Sequence, residues 1–342
     1  MTRYLGGLIT KDESLVIPAN NFENTSAPGV WTLEEAQMLA KQGKWPTAGN
    51  AYSPGFVLAG GGSYKTIHQF NMASQAASTD FGDSSALNIF LAAAFGSSTR
   101  MVAHLGDSSQ TNIEYWPVAT DSDATDFGDI TVARYGAAGT SSSTRGLMSG
   151  GYSNVVTNII DYVTIASAGN ATDFGDLVDT FYRTTGGQST TRSYTATGMG
   201  NSPLFGNIDH INYVTIASTG NATDFGSATA AKRQCFSGQS NSTRGIIAGG
   251  YTSSFLDVIE YITIASTGNG TDFGDLQAAD SSAAGACTSS IRWFGFDFGG
   301  SLADIQYITI ASTGNSQDWA DLTTSDLAGS TSGASASHGG IA

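Results

Sequence analysis

Short apolar stretches recur along most of the chain, and two of them are nearly identical. Residues 213–226 read YVTIASTGNATDFG, and residues 261–274 read YITIASTGNGTDFG. The stretches IDYVTIAS and IEYITIAS are rich in β-branched and aromatic residues and are apolar on both faces, which is typical of β-strands covered on both sides. A Gly-Asn turn and then an aromatic residue follow them. The pattern predicts short strands joined by tight turns.

The motif occurs six times, and an Asp marks each copy. The intervals between successive copies are 46, 47, 51, 48 and 46 residues. The six residues are Asp80, Asp126, Asp173, Asp224, Asp272 and Asp318. Five copies read Asp-Phe-Gly, which is also the metal-binding triad of protein kinases, but the chain lacks the Gly-rich loop and the catalytic loop of a kinase. A kinase uses only one such triad, and six copies have no catalytic purpose, so the triad is predicted to be structural.

Some spacings inside the repeat are constant and others vary. An Ile lies 13 residues before each Asp, and an Arg follows the previous Asp by 19 or 20 residues. The Arg residues are Arg100, Arg145, Arg192, Arg244 and Arg292. The distance from Arg to Ile, in contrast, runs from 13 to 19 residues, which indicates a surface loop. We expect the Arg and Asp residues to be partners in a hydrogen-bond network, since buried charges must be paired; a ligand-binding ring of Arg is the alternative.

Four short strands in each unit of about 48 residues predict an all-β fold, a six-bladed β-propeller spanning residues 51–342. The order of a small-residue strand, an Arg strand, an Ile-x-Tyr strand and an aromatic strand resembles kelch-type blades, with Trp319 alone matching the usual kelch Trp. A small-residue strand near 325–336 is expected to pair with the strands that begin near Pro54. This pairing of N- and C-terminal strands would close the ring and remove exposed sheet edges.

Residues 1–50 lie outside the repeat and are predicted to form a separate arm. They contain one predicted helix at about 32–42, with Thr32 as N-cap, Glu35 completing a capping box and Gly43 as the stop. So short a helix is marginal alone and must dock on another surface. The candidate anchoring residues are Trp31, Leu33, Leu39 and Trp45.

Two N-terminal segments, GLITK and GVWTLEEAQMLAKQGKWP, resemble N-terminal segments of structural and tail proteins of tailed phages, especially marine phages. The repeats also look like repeats in predicted phage proteins. The resemblance implies a non-enzymatic virion protein, present in multiple copies, that contacts other virion proteins through residues 1–50. Its propeller would then bind a host-surface glycan or protein. The alternatives are a purely architectural virion protein and a carbohydrate-active enzyme on a propeller scaffold.

Charge and composition narrow the range of partners. The net charge is −15 and the pI is about 4.4, which argues against nucleic-acid binding. No stretch approaches the roughly 18 apolar residues of a membrane span, and the N-terminus lacks the apolar core of a signal peptide. We therefore expect no membrane insertion, and the resemblance to phage proteins implies localisation to the virion after synthesis in the host cytoplasm.

No candidate catalytic, cofactor or metal site stands out in the sequence. The four His residues show no ligand spacing, and Cys235 and Cys287 are expected to be buried thiols. The segment from Asp121 to Asp126 faintly resembles a calcium loop, but an ordinary turn is expected there. No aromatic sugar-binding surface is visible. The longest loop of its class supplies the candidate contact residues Asn201, Pro203, Phe205 and His210.

Overall fold

The computed structural model of the protein describes residues 54–58, 65–85, 91–106, 110–200, 206–236, 239–280, 286–289, 291–297, 304–322 and 332–341. All regular secondary structure in these residues is β-strand. In chain order the strands are β1 (Pro54–Leu58), β2 (Thr66–Asn71), β3 (Thr79–Asp83), β4 (Ala93–Gly96), β5 (Arg100–His104), β6 (Asn112–Pro117), β7 (Thr125–Asp129), β8 (Ala138–Ser141), β9 (Arg145–Ser149), β10 (Tyr152–Ser153), β11 (Val155–Val156), β12 (Ile159–Thr164), β13 (Thr172–Asp176), β14 (Thr185–Gln188), β15 (Arg192–Met199), β16 (Asn207–Thr215), β17 (Thr223–Lys232), β18 (Gln239–Ser240), β19 (Arg244–Ala248), β20 (Leu256–Thr263), β21 (Thr271–Asp280), β22 (Ala286–Thr288), β23 (Arg292–Asp297), β24 (Asp304–Thr309), β25 (Gln317–Asp321) and β26 (Ser332–Ser335).

The strands form six four-stranded antiparallel sheets, which are the blades of a propeller. From the innermost strand outwards they are blade 1 (β26, β1, β2, β3), blade 2 (β4 to β7), blade 3 (β8, β9, β12, β13), blade 4 (β14 to β17), blade 5 (β18 to β21) and blade 6 (β22 to β25). The short strands β10 and β11 pair within a loop of blade 3. The predicted all-β fold is confirmed.

The inner strands form a closed ring. Each contacts the next in the order β4, β8, β14, β18, β22, β26, and β26 contacts β4. Six strands can converge in this way because they carry small side chains, such as Thr-Gly-Gly in β14. The structure is therefore a six-bladed β-propeller, as predicted.

Blade 1 closes the ring with strands from both ends of the repeat region. β26 pairs with β1 in the register Gly55 to Ser335 and Leu58 to Ser332. The predicted small-residue strand is thus confirmed, at residues 332–335. Closure therefore gives blade 1 an innermost strand that the N-terminal part of the propeller does not supply.

Six hydrophobic clusters hold the ring together, one at each junction between blades. Phe127 of blade 2, for example, packs with Met148 and Val163 of blade 3. Between blades 6 and 1, Trp319 packs with Val57 in an equivalent cluster. Each apolar strand is therefore covered on both faces by its neighbouring blades, as its sequence pattern predicts.

The predicted helix at 32–42, and the whole of residues 1–50, lie outside the described residues. Residues Ser53–Ala342 form one compact unit. In the part of the chain that the structure describes, no helix combines the length and apolar character needed to cross a membrane.

Candidate functional site

The Asp-Phe-Gly triads join neighbouring blades. In all six copies the Asp is exposed and the aromatic residue is buried, as Phe174 is in the core between blades 3 and 4. Gly175 has a φ of 143°, and a Cβ at this position would lie 2.6 Å from the carbonyl of Gly220 in the next blade. The same close approach with positive φ occurs at Gly82, Gly128, Gly226 and Gly274. The Gly and the aromatic residue therefore serve packing, which is the structural role that the six copies predict.

A turn from the next blade covers the outer strand of each of these triads. Asn170 Oδ1 accepts a hydrogen bond from the Asp129 N–H at 3.1 Å. The Gly169 N–H donates to the carbonyl of Phe127, and the Ala171 N–H donates to that of Asp129, both at 2.7 Å. The equivalent bonds recur at three further junctions through Asn221, Asn269 and Asn315. The turn thereby satisfies backbone groups that an edge strand would leave open.

The segment that resembles a calcium loop is one of these turns. Asp123 Oδ1 accepts from the Asp83 N–H at 3.0 Å, in place of the usual Asn. Asp121 Oδ1 accepts from Gln69 Nε2 at 3.1 Å. Among the described residues, no group of three or more His, Cys, Asp or Glu side chains is arranged to hold a metal ion.

The repeated Arg residues lie over Tyr rings and reach the neighbouring blade. The guanidinium of Arg145 lies 4.6 Å from the ring centre of Tyr162 and donates to the carbonyl of Ile216 at 2.8 Å. Arg100, Arg192 and Arg244 make both kinds of contact, and Arg292 lies over Tyr307 and Trp319. No ion pair joins these Arg residues to the Asp of a triad within the described residues. Their partners are aromatic rings and carbonyl oxygens, not the Asp residues that the repeat spacing suggests.

A polar residue is buried in the third strand of every blade, directly after the Ile of the motif. These residues are His68, Glu114, Asp161, Asn212, Glu260 and Gln306. The side chain of Asp161 accepts a hydrogen bond from the Thr131 N–H at 3.1 Å, and that of Asn212 accepts one from the Val178 N–H at 2.8 Å. Each side chain therefore binds the start of the crossover that follows the outer strand of the preceding blade. The sequence carried this signal, since a polar residue recurs inside an otherwise apolar strand, but sequence reasoning missed it.

Two of these carboxylates form buried ion pairs. Arg134 lies 2.8 Å from Asp161 and donates from its other nitrogens to the carbonyls of Gly150 and Met148. Lys232 lies 2.5 Å from Glu260. In blade 2, Glu114 has no such cation among the described residues, and burial raises the pKa of its carboxyl group. These acidic groups are engaged in blade-to-blade contacts and do not converge on a common site.

The two ends of the propeller differ in character because neighbouring strands are antiparallel. Turns between the first and second strands and between the third and fourth strands lie at one end, here called the turn face, for example residues 142–144 and 165–171. Loops between the second and third strands and the crossovers between blades lie at the other end, here called the loop face, for example residues 150–158 and 177–184. The spacing that varies along the sequence is that of the second-to-third strand loops. Sequence variation is thus concentrated on the loop face.

The loop face also carries most of the exposed apolar side chains. Of the five large apolar side chains exposed in the described part of the chain, Val132, Val155, Val178 and Phe255 lie on the loop face, and only Ile291 lies on the turn face. Val155, Phe255 and Ile291 are each 57% exposed. Apolar exposure among the described residues is therefore greater on the loop face than on the turn face.

Three tyrosines from separate parts of the sequence meet on the loop face. The ring centres of Tyr135, Tyr152 and Tyr182 are 5.2 to 5.6 Å apart. Burial and a hydrogen bond with Tyr182 raise the pKa of Tyr135 to about 12. Because Tyr135 and Tyr182 belong to crossovers and Tyr152 to a loop, spacing along the chain could not reveal this cluster.

Residues 336–341, which follow β26, cross the inner ring at the turn face. His338 Nε2 lies 2.8 Å from the carbonyl oxygen of Gly96 and 3.1 Å from Ser141 Oγ. The Gly339 N–H donates to the carbonyl of Ser240 at 2.9 Å. These partners are the last residues of three inner strands, so the segment joins blades 2, 3 and 5.

The remaining residues that the sequence singles out either do not come together in one site or lie outside the described residues. His210 lies on the loop face and bonds Asp179 at 2.6 Å, a contact that raises the pKa of the imidazole. Asn201, Pro203 and Phe205 lie outside the described residues, as do the anchoring residues Trp31, Leu33, Leu39 and Trp45. Cys235 is a buried free thiol, and the side chain of Cys287 is outside the description.

Fold and surface together define a closed six-bladed β-propeller with a repetitive turn face and a variable loop face. No model of a known protein family matches the chain, and no curated protein matches it significantly.

Proposed function

We propose that this protein is a non-enzymatic binding module that recognises its target through the loop face. The observation that carries the proposal is the separation of the two faces. Hydrogen-bonded repeats build the blades and the turn face, while loops of different length and most of the exposed apolar side chains lie on the loop face. A rigid scaffold that presents variable loops is suited to recognition.

The buried acidic groups support a non-enzymatic role. Hydrolysis of a glycosidic bond requires two carboxyl groups about 5 to 10 Å apart beside a substrate pocket. Asp161 and Glu260 each pair with a buried cation, and Glu114 bonds Ser84 and Ser85. Their side chains are thus committed to contacts between blades.

The sequence resemblance supports a role for the module in a phage particle. We propose that residues 1–50 attach the chain to other virion proteins and that the loop face contacts the host surface as a tail-associated or decorating adhesin. Host-surface glycans are the proposed target class. Many copies on one particle would turn weak individual contacts into firm attachment.

The test compares three positions that are equally exposed. The double variant Val155→Ser with Phe255→Ser removes apolar groups from the loop face, and Ile291→Ser removes one of equal exposure from the turn face. Fluorescently labelled full-length protein would be mixed with a panel of bacteria that includes marine isolates. We expect the loop-face variant to bind at least about tenfold less than wild type, and the turn-face variant to bind as wild type does.

Circular dichroism and thermal unfolding would first show that both variants keep the native fold. Equal binding by all three proteins would contradict the proposed face. A further outcome is that the protein binds no cell, while virion proteins contact both its turn face and its loop face. In that case the module is architectural and adhesion is rejected.

A further inference from the structure

We propose that the loop face contains a site for an acidic saccharide, formed by Tyr135, Tyr152, Tyr182, Arg183, Arg233 and Tyr251. The inference rests on the proposed function and assigns its ligand class. The carboxylate of a sugar acid would bind the guanidinium groups, and the sugar ring would contact the tyrosines.

The backbone brings these residues together at the inner end of three blades. The Arg183 N–H donates to the carbonyl of Gly136 at 2.9 Å, and the Gln234 N–H donates to the carbonyl of Arg183 at 3.0 Å. Gly136, Arg183 and Gln234 all have positive φ and come shortly before the inner strands β8, β14 and β18. This hydrogen-bonded series is part of the crossovers, so it lies on the loop face beside the inner ring.

Backbone pairing then places the aromatic residues beside the crossovers. Tyr135 pairs with Tyr152, and Arg233 pairs with Tyr251. Tyr182 packs against both Tyr135 and Tyr152. Tyr135, Tyr152 and Tyr251 are half-buried, so part of each residue remains exposed to solvent.

Both arginines are held over tyrosine rings. The guanidinium of Arg183 lies 5.3 Å from the ring centre of Tyr182, and that of Arg233 lies 4.9 Å from that of Tyr251. Arg233 also donates to Asn207 Oδ1 at 3.1 Å. Stacking on a ring and a fixed hydrogen bond hold a guanidinium in place before a ligand arrives, which lowers the entropic cost of binding.

Neither arginine forms an ion pair with a carboxylate in the described part of the chain. The Nε of Arg183 is buried and has no hydrogen-bond partner among the described residues. The loop-face carboxylate of Asp179 is paired with His210 instead. In a chain with 29 acidic and 14 basic side chains, two arginines that lie on adjacent crossovers and have no acidic partner among the described residues are complementary to an external anion.

A sugar acid fits this combination better than an inorganic anion does. Guanidinium groups bind carboxylates with paired, charge-assisted hydrogen bonds. Tyrosines add apolar contact area and hydroxyl groups that can hydrogen-bond sugar hydroxyls. Phosphate or sulfate would use the arginines but leave the three-tyrosine cluster without a ligand contact.

The test uses the full chain and two forms of one probe. Oligogalacturonate carries a carboxylate on each sugar, and its methyl ester is the same saccharide without the charge. Isothermal titration calorimetry should detect binding of the acid form and at least about tenfold weaker binding of the ester. Because this comparison uses the native protein, it does not depend on the folding of any variant.

A double variant, Arg183→Asn with Arg233→Gln, locates the site. Asn tolerates the positive φ at position 183, so the backbone is expected to be preserved. We expect at least about tenfold weaker binding of oligogalacturonate by this variant, and unchanged binding by the turn-face control Ile291→Ser. Equal binding of acid and ester, or wild-type affinity in the double variant, would overturn the proposal.

Hyaluronan oligosaccharides and sialyllactose would be tested in parallel, since they carry carboxylates on different sugar frames. Suppose that none of the acidic saccharides binds, while binding to cells still depends on Val155 and Phe255. The saccharide site is then rejected and the loop-face adhesin stands. If the loop-face variant also leaves cell binding unchanged, both proposals fail.

Discussion

Single residues in this protein are constrained by the neighbouring blade more than by their own. Gly175 follows Asp173 and Phe174, and the absence of a side chain at this position lets the outer strand of blade 3 lie against the Gly220 turn of blade 4. Gly169 belongs to the preceding turn, but a Cβ there would meet no atom within 4 Å. Of these two glycines in one repeat, only Gly175 lies where a side chain would collide with the neighbouring blade.

We predict that Gly175→Ala destabilises the propeller by about 2–4 kcal/mol, because it combines an unfavourable φ with a clash against backbone. Urea unfolding followed by tryptophan fluorescence would measure the loss. The matched control is Gly169→Ala, which should change the free energy of unfolding by less than about 1 kcal/mol. Similar losses in the two variants would show that the contact with Gly220 is unimportant.

At the scale of elements, the seven-residue turn between the third and fourth strands is the unit that joins blades. Residues 165–171 in blade 3 bond the outer strand of blade 2 through one side-chain and two backbone hydrogen bonds. The first junction uses Asp123 in the position of Asn170, so an acceptor oxygen is the shared requirement.

We predict that Asn170→Ala lowers the free energy of unfolding by about 1 kcal/mol, because the Asp129 N–H loses its acceptor. Asn170→Asp keeps an acceptor oxygen and should remain close to wild type. Hydrogen exchange at the Asp129 amide would report the local effect, with faster exchange in the Ala variant only. Equal exchange rates in all three proteins would contradict the assigned bond.

The sequence predicted the secondary-structure elements well but did not predict the side-chain contacts between them. The six copies, their strand order and the inner strand near 325–336 were readable because each follows from local spacing. The partners of Arg145 were not, since Tyr162 lies in β12, beyond the loop that contains β10 and β11, and Ile216 lies one blade away. A constant spacing of 19 or 20 residues between Asp and Arg indicates a regular framework, but it does not identify the groups with which each Arg forms contacts.

At the scale of the whole molecule, residues 336–341 connect several blades across the inner ring. His338 is buried there with its Nε2 near the carbonyl of Gly96 and its Nδ1 accepting from the Gly340 N–H. Burial lowers the pKa of His338 to about 4 from an ordinary value of 6.5. The imidazole of folded His338 is therefore neutral above about pH 4.

This pKa predicts acid sensitivity. Between pH 6.5 and about 4 the unfolded chain binds a proton that folded His338 does not, so stability falls as the pH is lowered through this window. The loss is on the order of 3 kcal/mol for this one group. His104, whose pKa is lowered to about 3 by burial and then by Arg134, acts in the same direction.

Melting temperatures measured from pH 7 to pH 4 would test this prediction in wild type and in His338→Gln. The variant should show a shallower decline because one titrating group is gone, whatever its stability at pH 7. Parallel curves for the two proteins would exclude His338 as a source of the acid sensitivity.

The candidate binding site could not be predicted from the sequence. Tyr135, Tyr152 and Tyr182 belong to two crossovers and one loop, and the sequence alone showed no aromatic surface. They meet because antiparallel pairing sends crossovers and second-to-third strand loops to the same end of the ring. The sequence places His210 in a long loop, but the structure places it in β16 and pairs it with Asp179, a crossover residue that spacing does not connect to it.

The number of blades, the order of strands within them and the closing strand could be predicted from the sequence, because strand periodicity, turn residues and repeat length are local properties. The groups that serve the contacts between blades, and those that remain available to a ligand, became visible only in the folded protein. The physical reason is that each such contact joins residues from different blades, and their meeting depends on how the sheets pack around the axis. Arg145 and Arg183 are the same residue type, yet packing commits the first to a neighbouring carbonyl and leaves the second without an acidic partner among the described residues.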